Sequence, residues 1–553
     1  MSDQTGERRG PADDEFEALA DRTIEYFLER HPEYATFLGD HRYDGRLSEP
    51  GPDAREAERR EVSARARELE AISPADLSPA NRVDAQILGA RLRERLFDLE
   101  ELREHEWDPL VANPAEAVYM LLARDYAPLP DRLDAVAGRL AAIPATLTAA
   151  RSDLGEMPKV HVETAAMQFG GTIALITGEL DRSLEEAPRS KAQIDAVRPA
   201  AVDSLQEHVA WLQSRLPESD RDPRIGERLF SAKLGLTLDA ASDADAILAR
   251  AEADLVRTEV LLAEVAGRLA GEPADTPGLV RSVLDRLAGD HPTDETIVAE
   301  ATAAYEAARA FNDSEGIATM YDDPIEIIVM PEFNRGVAIA YCDPPGPLET
   351  ADVPTLFAIS PTPEDWPPER VESFYREYNS HLIHELAIHE AVPGHMLQLG
   401  HWRRFRAPTR VRSAFYSGPF VEGWAVYSED VMGAHGYRGD ELAAQRLKMD
   451  LRMIINTILD VRVHAHGMTE EEGMRLMLER GHQEEGEAVG KWRRAVLTST
   501  QLSTYYVGSS EVTDLARDLR TARPDLSERE LHDLMLSQGS PAPRFLRSLL
   551  IGE

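Results

Sequence analysis

Between His389 and His395 this chain has to bend. The segment His389-Glu390-Ala391-Val392-Pro393-Gly394-His395 follows a run of helix formers, yet its histidines are six residues apart. At ~100° per residue, an unbroken helix leaves such a pair about 120° out of phase. Pro393 lacks an N–H and clashes with the preceding turn, and Gly394 tolerates dihedrals closed to other residues. A wide turn at Pro393-Gly394 therefore brings His395 back to face His389, and a second helix starts there. Two imidazoles joined by one carboxylate, with a position left for water, are what a hydrolytic zinc site requires. Glu390, beside the first imidazole, then stands as the general base that takes the water's proton.

Other residues in the region are weighed against that reading. His381, His384 and His401 lie nearby, and stray histidines are commonly part of a solvated face. His384 and His389 are five apart with nothing between them to bend the helix, so His384 is set aside as a supporting or surface residue. The helix bearing the first imidazole is expected over 370–392. The third ligand should come from a facing helix, and Glu422 in Phe420-Val421-Glu422-Gly423-Trp424 is the choice. Glu429, seven residues on and nearly in phase, could steady a ligand imidazole from behind. The reverse assignment of these two stays open. Trp424 and Tyr427 suit a pocket wall or plain core. Further on, Asp460 and His464 are four apart, so the carboxylate could orient an imidazole that donates to an oxyanion. A surface pair is the alternative.

From Asp14 to about Ser314 the chain reads as helix after helix. Phe16, Leu19, Ala20, Ile24 and Phe27 follow the three-four spacing of an amphipathic helix. Residues 55–72 carry only a thin apolar stripe, and further helices are expected over 83–103, 130–150, 160–184, 195–216 and 243–269. Three β-rich runs follow, at 325–330, 336–341 and 355–360, with Pro344-Pro345-Gly346-Pro347 between the last two. They predict a small β-sheet whose edge could hold an extended peptide. Arg335 and Tyr341, at the ends of the second run, are candidate substrate contacts. A proline-rich connector at 361–368 leads into the last region. The expected division is 1–315 as a helical half, 316–365 as sheet and connector, and 366–553 as the helical metal-binding half.

The 553 residues include 60 Lys and Arg against 99 Asp and Glu, a net charge of −39. So acidic a surface argues against nucleic acid or an anionic membrane as partner. Cys342 is the single cysteine, which rules out an intramolecular disulfide. The opening residues show no basic region followed by an apolar run, and no stretch approaches the ~20 apolar residues of a spanning helix. A cytoplasmic location is the expectation.

The motif His389-Glu390-Ala391-Val392-Pro393-Gly394-His395-Met396-Leu397-Gln398, followed by Val421-Glu422-Gly423-Trp424-Ala425-Val426-Tyr427-Ser428-Glu429, resembles a large bacterial family. That family is catalogued as domain of unknown function 885. Residues 31–39 and 374–379 are similar to its opening segment and to the stretch before its metal motif. The resemblance covers most of the chain and implies a mostly helical gluzincin-like metallopeptidase fold, with a cleft between two helical halves. It favours Glu422 as ligand, and the Asp460–His464 segment is similar to another family motif. Arg494, Gln501 and Tyr505-Tyr506-Val507-Gly508 are similar to the last one. By that likeness Tyr505 is a second oxyanion donor, while Arg494 and Tyr506 are substrate contacts, Arg494 facing a carboxylate. The chain departs from the pattern at Ser499-Thr500, where the family has Pro-Gly.

The expected function is zinc-dependent hydrolysis of peptide bonds in short peptides, with about one zinc per chain. Manganese or cobalt also suit the ligand set. A metal-dependent hydrolase of a small amide or modified amino acid is one alternative, and a non-catalytic metal- or peptide-binding scaffold is the other. The residues do not give an oligomeric state.

Overall fold

The computed structural model describes residues 10–240, 243–330, 335, 339–363 and 366–552. It is mostly helical, with one three-stranded sheet. The expected helices form as Pro52–Glu70, Pro79–Phe97, Leu129–Asp153, Lys159–Ala174, Lys191–Arg215 and Ala244–Ala270; the second continues through a π-helical turn, Asp98–Leu102, and the fourth through another, Leu175–Glu179, into Leu180–Glu186. The apolar stripe of the first helix, Pro11–Arg30, is buried as its spacing requires: Phe16, Leu19, Ala20, Ile24 and Phe27 all face inward.

The chain divides into two compact units, but not at residue 315. One unit holds the chain up to Pro223 with Pro345–Val353 and Arg406–Phe415; the other holds Arg224–Pro344, Pro354–Phe405 and Tyr416–Glu553. The correction has a physical cause. Helix Ala244–Ala270 sends Glu252 to Arg462, Glu259 to Arg480 and Asp254 to the Tyr506 hydroxyl, so it folds with the metal-motif region. In the first unit, Arg406–Phe415 is tied down by a buried pair in which Arg412 Nε donates to Asp84 Oδ1 at 2.7 Å.

The sheet is built from β1 (Ile325–Val329), β2 (Ala340–Asp343) and β3 (Thr355–Ile359), in the order β1-β3-β2. β1 runs parallel to β3 and β2 antiparallel to it. The central β3 is buried along its whole length, which fits its unbroken apolar run. Of the run expected at 336–341, residues 336–338 lie outside the described residues; the strand continues to Asp343. Residues 364–365 of the connector also lie outside them.

The helix expected over 370–392 is two helices, Pro368–Glu377 and Ser380–Glu390. Asn379 separates them, its side-chain oxygen accepting from the N–H groups of His381 and Leu382 at 3.2 Å each. The second of these, the histidine helix, joins two apolar clusters. Leu382, Ile383, Leu386 and Ala387 pack with Phe357 and Ile359 of the sheet. Ile388 packs with Phe420 and Trp424 of helix Gly418–Ala434 and Val512 and Leu515 of helix Thr504–Ala522. Each fully buried side chain of this size contributes roughly 1.5–3 kcal/mol, so the histidine helix is clamped from both sides.

Candidate metal centre

The histidine helix stops at Glu390, and a new helix, His395–Arg404, starts at the second histidine. The turn between them is held by backbone bonds from Val392 N to Ala387 O and from Gly394 N to Ile388 O. From outside, the Trp424 indole N–H donates to the Pro393 carbonyl at 2.8 Å. Trp424 is therefore core and turn brace at once. Gly394 is required by close approach, since a Cβ there would lie 2.0 Å from the His389 oxygen and 2.3 Å from that of Ile388.

This turn brings the two imidazoles together, their ring centroids 4.8 Å apart and nearly perpendicular. Glu422 reaches them from the facing helix. Its Oε2 lies 3.5 Å from His389 Nε2 and 3.6 Å from His395 Nε2. Among the described residues, these three form the one group of His, Cys, Asp or Glu whose ligand atoms converge, all within 4.8 Å of one another.

The donor set fits a zinc ion. Ligands bound at ~2.0–2.1 Å in a tetrahedron stand about 3.3 Å from one another, close to the two separations between Glu422 and the imidazoles. The Glu422 Oε2 atom is buried with no hydrogen-bond partner, an arrangement that is costly unless a cation completes it. Without an ion, the two imidazoles hold the Glu422 carboxyl well below the usual range, outweighing its burial. Burial opposes a charge on His389, but Glu422 and Glu429 push its pKa well up, so metal uptake competes with a proton.

Behind His389, Glu429 takes up the bracing position anticipated for it. Its Oε1 accepts the His389 Nδ1–H at 2.6 Å, leaving Nε2 to face Glu422. Glu385 was not legible as a participant. It is buried beside Glu429, and burial first and then that carboxylate push its own carboxyl well above the usual range. Glu429→Gln should weaken metal binding about 10–100-fold, read by competition with a chromophoric chelator.

Glu390 faces the sheet. Its Oε2 accepts the backbone N–H of Cys342 on β2 at 3.0 Å, so the outer edge of the strand orients the base. Tyr341 is the neighbouring residue of that strand. Arg335 turns back on its own chain, donating from Nε to the Met330 carbonyl at 2.9 Å.

Tyr505 reaches the site through a crossing of two helices. A Cβ on Gly423 would lie 2.3 Å from the backbone of Gly508, and one on Gly508 would lie 2.1 Å from the Pro419 oxygen. Glu422 and Tyr505, which flank this contact, become neighbours. The Glu422 carboxylate is the largest influence on the phenol, and together with burial it raises the pKa, keeping the hydroxyl protonated. Gln501 donates to that hydroxyl at 3.3 Å and Arg494 at 3.5 Å.

Two assignments need correction. His464 is no oxyanion donor: its Nε2 is bonded to the carbonyls of Ala495 and Thr498, both at 2.9 Å, and the ring stacks on Phe230. Asp460 does not orient that imidazole. It accepts instead from the N–H of Thr500 and from both the N–H and hydroxyl of Ser503. The shared face of Asp460 and His464 thus pins the chain reversal that delivers Arg494, Gln501 and Tyr505. There Thr500 adopts a left-handed conformation, φ 70°, where the family pattern has glycine. Tyr506 also turns away from the site, its hydroxyl donating to Asp254 at 2.6 Å in the interior. Asp460→Ala leaves three donors unsatisfied and should cost about 3 kcal/mol or more in denaturant unfolding, with a fall in any Tyr505-dependent activity.

Comparison with known proteins adds the family. The family described as bacterial protein of unknown function (DUF885) matches residues 32–550, and the chain belongs to it. No curated protein matches. A solved structure of a candidate lipoprotein of unknown function from Shewanella oneidensis is 29% identical, with a TM-score of 0.81 over 97% of this chain and 99% of that one. Another, a candidate lipoprotein from Colwellia psychrerythraea, is 15% identical with a TM-score of 0.80, covering 98% and 99% of the two chains. These descriptions overturn the cytoplasmic expectation, which rested on the opening residues and on the lack of a long apolar stretch. Among the described residues, no helix is long and apolar enough to cross a membrane.

Proposed function

We propose that this chain is a gluzincin-like, zinc-dependent peptidase acting on short peptides. One observation carries the reading: His389, His395 and Glu422 converge, and Glu390 directly follows the first of them in the sequence. When bound there, zinc acidifies a water and polarises a carbonyl. Glu390 takes the proton from the attacking water at the oxygen not held by Cys342, and returns it to the leaving amine. Tyr505, kept protonated, donates its O–H to the oxygen on which charge develops. Glu429 keeps the His389 tautomer fixed throughout.

Elemental analysis of purified protein tests the reading first. Wild type should carry about one zinc per chain after zinc is offered, and His395→Ala should lose it. A wild type that takes up no metal would sink the proposal.

A further inference from the structure

Close to the reversal at Thr500, basic side chains gather beside the candidate metal centre of a chain whose net charge is −39. Helix Glu485–Leu497 carries Glu487, Lys491 and Arg494 at spacings of four and three, and hence on one face. Glu377 and Glu487, which lie among these basic groups, are both engaged already. Glu377 accepts from Lys448 at 2.8 Å, and Glu487 from Arg452. Lys491 is almost wholly buried, and its burial and the Arg452 charge lower its pKa to about 7. Arg494 is exposed, and its side-chain bonds go to Gln501 Oε1 at 2.8 Å and the Tyr505 hydroxyl, both neutral.

The position of Arg494 gives this gathering a meaning. Its guanidinium lies 3.5 Å from the Tyr505 hydroxyl, and Glu422, a residue of the candidate metal centre, is the dominant charge acting on the same phenol. The Tyr505 phenol is thus a shared neighbour of the guanidinium and of the candidate metal centre. Consecutive residues are about 3.8 Å apart, so a carboxylate held beside this phenol belongs to a residue close to the scissile bond. A guanidinium also matches a carboxylate in planar two-point fashion.

Resting on the peptidase reading, we propose that Arg494, braced by Gln501 and backed by Lys491, binds the α-carboxylate of the residue whose nitrogen leaves. The chain then removes single amino acids from the carboxyl end of short peptides. Water supplies hydroxide to the carbonyl carbon, the C–N bond breaks, and the proton goes to the released amine. An N-acylated amino acid presents the same carboxylate one residue from the cleaved bond, so it belongs among the substrates to be compared.

Two measurements on the full chain test this. Zinc-loaded enzyme is given tri- to pentapeptides in matched C-terminal acid and amide forms, alongside N-acetyl amino acids, with products read by mass spectrometry. Separately, binding of N-acetylphenylalanine and its amide to Glu390→Gln protein is measured by calorimetry. The acid forms should be favoured at least about tenfold in both experiments, and the first product should be the C-terminal amino acid. Arg494→Met should erase the preference, chiefly through KM, and Arg494→Lys should restore part of it. Cleavage of N-acetyl amino acids alone would keep the carboxylate site and reassign the substrate. Equal binding of acid and amide overturns the inference, as does a first cut elsewhere in the peptide, even if hydrolysis is vigorous. Acid-selective binding with no hydrolysis of any substrate leaves the carboxylate site standing and removes the peptidase reading instead.

Discussion

Glu390→Gln protein will retain zinc as wild type does and hydrolyse peptides about a thousandfold more slowly. Gln keeps a side-chain oxygen for the Cys342 N–H, so the strand and the histidine helix stay in register. The His389, His395 and Glu422 side chains are untouched, so metal content should not change. What disappears is the ability to take a proton from water, a contribution of roughly 10²–10⁴ in comparable systems. Steady-state rates on a peptide substrate, with zinc measured in the same samples, check both halves. A variant retaining more than about a tenth of wild-type rate would remove Glu390 from the base role assigned to it.

The second large effect belongs to Gly394→Ala. The added methyl would sit 2.0 Å from one carbonyl oxygen and 2.3 Å from another, both fixed in the last turn of the histidine helix. No side chain can move aside to admit it, so the turn must reopen and carry His395 away from His389. The expected cost is about 3 kcal/mol or more, at the upper end for overpacked positions, with loss of tight zinc binding. Gly490→Ala is the control, because nothing lies within 4 Å of the methyl it adds. It sits inside helix Glu485–Leu497 and should gain up to about 1 kcal/mol from helix propensity. Thermal unfolding of the two variants separates a local clash from a general intolerance of substitution.

The geometry around the motif was legible because it rests on local rules. A six-residue spacing cannot close on an unbroken helix, and Pro393-Gly394 can open one. Glu429 followed from helical phase alone. The parts that escaped depend on which way a face points after the chain has folded. Asp460 and His464 do share a face, but it meets the reversal near Thr500 and the end of a neighbouring helix. Tyr505 and Tyr506 are adjacent, so about 100° of rotation divides a phenol beside Glu422 from one buried on Asp254. The Cys342 contribution is a backbone N–H, which carries no residue-specific signal. The unit boundary at Pro223 escaped because helix Ala244–Ala270 reads like those before it, and only its partners Arg462, Arg480 and Tyr506 place it.

The contact between Gly423 and Gly508 has a consequence for how such a site can diversify. Backbone meets backbone there, so no side chain at the crossing can be enlarged or trimmed to alter the gap between Glu422 and Tyr505. Substitutions elsewhere on either helix can reshape the walls of the site while this gap stays as it is. Reactivity and selectivity thus become separable traits, one set by the main chain and the other free to drift with the side chains around it.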